Sequence, residues 1–337
     1  MTGVDSIVDQ YDLVIFDLDG VVFLGHEPID GAVEAINGLV EEHKPVAYAT
    51  NNASRRAVEV AELLVSLGIR AVPDEVITSA QASARLLAGR LTAGDRVLIV
   101  GGPALQREIT DVGLTPTGAA DDGVSAVVQG YAPDVGWKQL AEACVAIRGG
   151  AMWVATNADR TLPSPRGELP GNGSLVAVLT TALDRQPDVI VGKPAPTLFD
   201  TAAAKVNARR PLVVGDRLDT DIAGAVRAGM DSLLVLTGVA RPRDLLAASA
   251  SERPTWVAID LGGLTSGAVA VPVKDLESGW TVRATADGLT LHGSGGALEA
   301  LAALAAACWR GDGATDVPRV VAVGDDAAAA LRTLDLA

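Results

Sequence analysis

Residues 13–21, Leu-Val-Ile-Phe-Asp-Leu-Asp-Gly-Val, constrain the fold more than any other stretch of the chain. Leu13 to Phe16 read as a strand buried on both faces, the pattern of a parallel sheet. The run then delivers two carboxylates one residue apart, Asp17 and Asp19, followed by Gly20. In an open α/β sheet the carboxyl ends of the strands face the crevice where ligands bind. Two carboxylates that close repel each other and resist joint ionisation unless a cation lies between them. An all-oxygen donor set suits Mg2+. Taken alone, the pattern is served as well by one Asp capping a helix and the other closing a turn, so the rest of the chain has to decide.

A chain of 337 residues predicts two or three domains, and 49% hydrophobic with 20% charged residues describes a globular protein, not a disordered one. The formal charge of -15 argues against nucleic acid or an anionic membrane as partner, since both need basic patches. An anionic ligand must then be held by local positive groups and metal. Cys144 and Cys308 lie far apart in apolar helical surroundings and read as reduced core residues, while His26, His43 and His292 show no metal-ligand spacing. The first ten residues carry Asp5 and Asp9 and lack a signal-like region, and no uninterrupted run of about 20 apolar residues occurs, so a cytoplasmic location is expected.

Along the chain, helix is expected over 28–40 and 56–67 and strand over 45–49, ending in Thr50-Asn51-Asn52. This alternation predicts a parallel sheet with right-handed crossovers. A second α/β series begins near Val76: strands at 97–100, 126–129, 152–155 and 189–191, and helices through 112, over 137–147 and from 171 to 183. After Gly192-Lys193-Pro194 come a helix at 197–206, strands at 212–214, 233–236 and 256–259, and a helix to 228 that continue the first sheet. The expected organisation is a core from 1–77 and 190–261, an inserted α/β domain over 78–189, and a small C-terminal α/β unit over 265–337. An insertion that long with its own alternation is a domain, not a loop. Residues 262–273 suit a linker or covered edge. In the last unit Ala286-Asp287-Gly288 is a hairpin signal between strands at 281–284 and 289–291, before an Ala-rich helix at 297–309 and a strand at 320–323.

Four strand ends of the first sheet are thus expected to carry Asp17 with Asp19, Thr50 with Asn51, Lys193, and Asp216 with Asp221. Such a set suits phosphoryl transfer, which needs a nucleophile, charge neutralisation and an acid/base group. Asp17 can attack phosphorus and form an aspartyl-phosphate. Asp19 can protonate the leaving alkoxide and then deprotonate water. Asp17, Asp216 and the backbone carbonyl of Asp19 can hold Mg2+, with Asp221 acting through water or a neighbouring ligand. The Thr50 hydroxyl and the amide of Asn51 can donate to phosphoryl oxygens, with Asn52 beside them. Lys193 supplies positive charge; with 22 Arg and only five Lys in the chain, lysine is not its default surface cation.

Phe16-Asp17-Leu18-Asp19-Gly20, Thr50-Asn51-Asn52, Gly192-Lys193-Pro194 and Gly215-Asp216-Arg217-Leu218-Asp219-Thr220-Asp221 resemble, in order, the four motifs of the haloacid dehalogenase superfamily of phosphatases. An α/β cap between the second and third motifs resembles the subfamily of nitrophenyl-phosphatase-like, phosphoglycolate and glycerol-3-phosphate phosphatases. The resemblance implies a Rossmann-like core, Mg2+ dependence and hydrolysis of small phosphorylated metabolites, glycerol 3-phosphate first and 2-phosphoglycolate second. It also implies a homodimer through the cap as one assembly. Asp19 separates the chain from haloacid dehalogenases, which lack that acid, and from ion-pumping ATPases, which resemble the motif but carry Thr. A phosphotransferase or a phospho-signalling protein of similar fold is the alternative.

Ala155-Thr156-Asn157-Ala158-Asp159-Arg160 resembles a cap loop of the same subfamily, although relatives usually have proline at the position of Ala158. Asn157, Asp159 and Arg160 are candidates for leaving-group contacts, or simply turn formers. Gly171-Asn172-Gly173-Ser174 can bind an anion or provide tight packing, and neither it nor Gly101-Gly102-Pro103 completes a dinucleotide fingerprint. Residues 290–296, Thr-Leu-His-Gly-Ser-Gly-Gly, resemble the pyrophosphate loop of GCN5-related acetyltransferases, with Thr290 where Arg or Gln is usual. The expectation is a degenerate acetyltransferase-like module that packs on the rest or regulates it.

Overall fold

The computed structural model describes residues 6–121, 123–162, 167, 169–265, 270–274, 276–285, 288–310 and 317–337. Asp5 and the Ala286-Asp287 pair of the hairpin signal lie outside the described residues. The chain forms two compact units, one of Met1–Val46 with Ala203–Ala337 and one of Ala47–Ala202.

In the first unit the strand Leu13–Phe16 is buried along its whole length, as its unbroken apolar run requires. It pairs in parallel with Pro211–Gly215, Phe16 opposite Val214. Asp231–Val235 and Trp256–Ala258 follow, each parallel to the strand before it. Ala270–Pro272 closes that side as an antiparallel edge, a position where proline's missing N–H is tolerated. Of the stretch expected to be a linker or covered edge, Leu261–Leu264 forms a 3-10 turn and Ala270–Pro272 the edge strand, while residues 266–269 lie outside the described residues. A polar staple crosses this sheet. The Tyr11 hydroxyl donates to Asp231 Oδ2 at 3.0 Å and accepts from Trp256 Nε1 at 2.8 Å. Burial pushes the Tyr11 phenol up to about 12, so it stays protonated and able to donate.

The C-terminal strands Trp280–Thr285 and Gly288–Gly293 are antiparallel, and Val320–Val323 joins the second in parallel. The helix Ala297–Cys308 covers them. A further helix, Asp325–Thr333, is not signalled by periodicity because alanines mask its buried face, which is Ala327, Ala330 and Leu331. The buried apolar residues of this segment are continuous with those of the first sheet. Leu291, Leu301, Leu304 and Trp309 share one apolar cluster with Leu234, Leu245 and Val257 of the sheet region. Trp309 Nε1 donates to the Leu245 carbonyl at 3.1 Å, and the Arg253 guanidinium stacks 5.2 Å from the Trp309 ring centre. Cys144 and Cys308 are free thiols and only half-buried, and burial pushes the Cys308 thiol up.

The second unit contains two parallel sets. Val46–Thr50 pairs with Val76–Thr78, Thr50 opposite Thr78. The other set has the order Val189–Ile190, Met152–Ala155, Val124–Gln129, Arg96–Val100 and Thr115–Thr117, all parallel. Helices Trp137–Arg148 and Asn172–Leu183 pack on it around Trp153, Leu98, Val127 and Leu179. Val76–Thr78 extends the Val46–Thr50 pairing instead of opening the second series. Three apolar-rich residues at 76–78 are too few to reveal their partner strand. Val189–Ile190 closes the second series as expected, so Lys193 follows a strand of the five-stranded set and not a strand end of the first sheet. No described helix is long and apolar enough to cross a membrane.

Because the C-terminal segment completes the apolar cluster, deleting residues 265–337 is expected to give aggregated protein. Trp309→Ala should lower unfolding free energy by about 3–5 kcal/mol in a urea titration. A soluble, cooperatively unfolding truncation would show that the cluster is not needed.

Candidate active site

The first unit gathers three carboxylates. Asp17 follows its strand directly, and its N–H donates to the Val214 carbonyl at 2.9 Å, one step beyond the ladder. Asp216 follows the neighbouring parallel strand, so both acids leave the same edge. The π-helical turn Leu218–Ile222 then brings Asp221 back, with its Oδ2 accepting from the Arg217 N–H at 3.1 Å. Oxygen atoms of Asp17, Asp216 and Asp221 lie within 4.8 Å of one another. All three residues are at most 9% exposed, which leaves water little room to screen their repulsion. Ligands on opposite sides of an octahedral Mg2+ stand about 4.2 Å apart and adjacent ones about 3 Å, so this spacing accommodates the ion. Asp221, expected to act at one remove, sits in the trio itself. The half-buried Asp19 carboxylate is outside it.

Close backbone approach fixes Asp216. Its Oδ2 accepts from the Val239 N–H at 2.7 Å and its carbonyl from the Ala240 N–H at 2.9 Å. A Cβ on Gly238 would stand 1.9 Å from that Oδ2, and one on Gly20, whose φ is +89°, would stand 2.5 Å from it. The glycine of Asp-x-Asp-Gly is thus required by contact with a carboxylate as well as by its left-handed turn. The 237–240 segment that seats Asp216 carried no recognisable signal in the sequence.

In the second unit the organising residue is Asn51. Its Oδ1 accepts from the Lys193 N–H at 2.8 Å, and its Nδ2 donates to the Lys193 carbonyl at 3.0 Å and to the Asp159 carboxylate at 3.0 and 3.1 Å. Its own carbonyl accepts from Asn157 Nδ2 at 2.6 Å and Ser79 Oγ at 2.7 Å. One amide therefore ties together residues far apart in sequence. Lys193 is 2% exposed, as expected of a cation with a specific role. The Thr50 hydroxyl accepts from the Asn52 N–H at 3.1 Å, which uses a lone pair and leaves its hydrogen to donate. Asn52 is exposed, and its side-chain oxygen accepts from Ser54, forming a turn.

Asn157 also holds its own loop, because its Oδ1 accepts from the Asp159 N–H at 3.2 Å. Arg160 is exposed. Asn172, in a segment expected either to bind an anion or to provide tight packing, is a brace. It is 1% exposed and its Nδ2 donates to the Asn157 carbonyl at 2.8 Å and the Gln129 carbonyl at 3.3 Å. A Cβ on the next residue, Gly173, would lie 2.2 Å from the Ala158 carbonyl oxygen, so the Gly-Asn-Gly pattern serves close packing against the Asn157–Arg160 loop. Ser79 had no motif to mark it.

The family model of haloacid dehalogenase-like hydrolases matches residues 14–115, and a second HAD-hydrolase-like model matches residues 190–264. D-glycerol 3-phosphate phosphatase of Mycobacterium tuberculosis is 48% identical over 290 residues, covering 86% of this chain and 81% of that protein. This chain belongs to the haloacid dehalogenase-like hydrolases. The crystal structure of glycerol phosphate phosphatase from Mycobacterium tuberculosis in complex with magnesium aligns with the hydrolase at a TM-score of 0.91 and 45% identity, over 98% of this chain and 99% of that one. Acid sugar phosphatase of Staphylococcus haemolyticus is 36% identical over 254 residues, 75% of this chain and 94% of that protein. A model of a GCN5-related N-acetyltransferase like domain matches residues 277–336 of the hydrolase. There the Gly296 N–H, at the start of the helix after the loop, donates to the chain's own Glu299 carboxylate at 3.2 Å, and the Ser294 N–H to the Gly279 carbonyl at 3.3 Å. A carboxylate already caps that helix end.

Gly238→Ala should displace the Asp216 carboxylate and weaken Mg2+ binding roughly tenfold or more, read by calorimetric titration. Unchanged affinity would mean that the carboxylate tolerates the shift. Asn172→Ala removes the donor to the Asn157 carbonyl and should cost about 1–3 kcal/mol in stability.

Proposed function

We propose that this hydrolase is a Mg2+-dependent phosphomonoesterase acting on small phosphorylated metabolites through an aspartyl-phosphate on Asp17, with glycerol 3-phosphate as its leading substrate. The observation that carries the reaction class is the buried trio of Asp17, Asp216 and Asp221, a donor set that calls for a divalent cation. The substrate rests on the likeness to D-glycerol 3-phosphate phosphatase over most of both chains.

Asp17, Asp216 and Asp221 would hold Mg2+ together with the carbonyl of Asp19. When bound, the ion neutralises charge on the phosphate and on the attacking carboxylate. An Asp17 oxygen attacks phosphorus, the ester P–O bond breaks, and its electron pair leaves on the alkoxide, which takes a proton from Asp19. Water then attacks the aspartyl-phosphate while Asp19 takes its proton, and the P–O bond to Asp17 breaks to release inorganic phosphate. The Thr50 hydroxyl and the backbone N–H of Asn51, flanked by Asn52, donate to phosphoryl oxygens, and Lys193 balances their charge. Asp159 and Arg160, with Asn157 shaping their loop, receive the leaving group.

In the same reading residues 1–77 and 190–261 make the phosphatase core and 78–189 the cap that selects the substrate. The 265–337 segment is a degenerate acetyltransferase-like module kept for packing. The enzyme works in the cytoplasm, and exposed Trp137, Val145 and Val178 suit a homodimer through the cap.

A screen of phosphorylated metabolites should give multiple turnovers with glycerol 3-phosphate, ahead of 2-phosphoglycolate, and none after chelation of Mg2+. Asp17→Asn should fold normally and lose turnover by a factor of about 10⁴ or more. Asp19→Asn should trap labelled phosphate on the protein while steady-state release fails. Efficient turnover by either variant would refute its assigned role.

A further inference from the structure

Away from the acidic trio, the C-terminal segment contains a cavity of about 630 Å3, within the range of small-molecule sites. Its apolar wall includes Val317, Val320, Leu331 and Leu336, from the edge strand, the last helix and the residues after it. Three cations stand around it: Arg319 just before the strand, Arg332 in the last helix, and Arg243 in the short helix Pro242–Leu246. Among the described residues none of these guanidinium groups forms an ion pair with a carboxylate.

In a chain of net charge -15, three guanidinium groups around one apolar hollow with no carboxylate side chain among its described lining residues favour an anionic ligand. Arg332 suits a helix C-terminus, where cations are favoured, but that reason does not extend to Arg243 or Arg319. No Asp or Glu is among the described residues that line it. No residue of the 293–296 loop lines it, so it is separate from the place where the family resemblance would seat an acyl carrier.

We infer that this cavity binds a small organic oxyanion with a hydrocarbon body, the head held by Arg319, Arg332 and Arg243 and the chain lying against Val320 and Leu331. The planar guanidinium forks match carboxylate and other oxyanion heads in pairs of hydrogen bonds, and the apolar wall rewards burial of a chain that water rejects. Neither part alone is enough: a bare anion leaves the wall wet, and a neutral chain leaves the arginines without their counter-charge.

Calorimetric titration of the full-length, Mg2+-loaded protein with octanoate, octanesulfonate, 1-octanol and inorganic phosphate separates these terms. Octanoate and octanesulfonate should bind saturably at one site per chain, with octanol and phosphate weaker by roughly tenfold or more. The double variant Arg319→Gln, Arg332→Gln alters two exposed side chains and should lose roughly tenfold in octanoate affinity while Mg2+-dependent hydrolysis is unchanged. Absence of saturable binding would overturn the inference. So would octanol binding as tightly as octanoate, phosphate as tightly as octanesulfonate, or full affinity in the double variant, which would place the anion elsewhere.

Discussion

Mutual repulsion among Asp17, Asp216 and Asp221 is the constraint on which the first unit turns. Charges about 4 Å apart interact by about 4 kcal/mol at the effective dielectric of a protein, and here three buried groups face one another. The fold opposes that force with backbone. Parallel register sets Asp17 beside Asp216, and the π-helical turn returns Asp221. The Val239 and Ala240 N–H groups bind Asp216, and glycines at 20 and 238 leave room for it. These devices orient the acids without neutralising them, so a divalent cation is the term that completes the balance.

In the second unit neutral amides do the linking. Asn51 has one carbonyl and one amide to share, and it spends them on Lys193 and Asp159 while its main chain receives Asn157 and Ser79. Asn172 holds Asn157 from the other side. Most polar groups of this buried network find partners, although Asn172 Oδ1 and Gln129 Nε2 have none among the described residues.

Much of this was legible in the sequence. The alternation of strands and helices identified the parallel architecture, and the strand–acid junctions at Phe16-Asp17 and Gly215-Asp216, taken together, pointed to a ligand site at its edge. Long periodic elements such as the helices at 137–148 and 172–183 were readable from their apolar spacing. What escaped shares one cause: pairing is not encoded locally. Val76–Thr78 is a run of three residues, and nothing in it says which sheet it joins. Alanines concealed the Asp325–Thr333 helix, and the common core of the C-terminal segment appears only when Trp309 is seen against Leu245. The role of Asn172 was hidden because its partner is a carbonyl fifteen residues away in sequence.

Thermal unfolding of wild type and Asp216→Asn, each with and without Mg2+, tests the central claim most directly. If a cation balances the three acids, Mg2+ raises the wild-type melting temperature by ligand linkage, and metal-free Asp216→Asn melts above metal-free wild type because one repelling charge is gone. The variant should gain little from Mg2+. A metal-free variant that melts below metal-free wild type, or an equal Mg2+ shift in both proteins, would contradict the account.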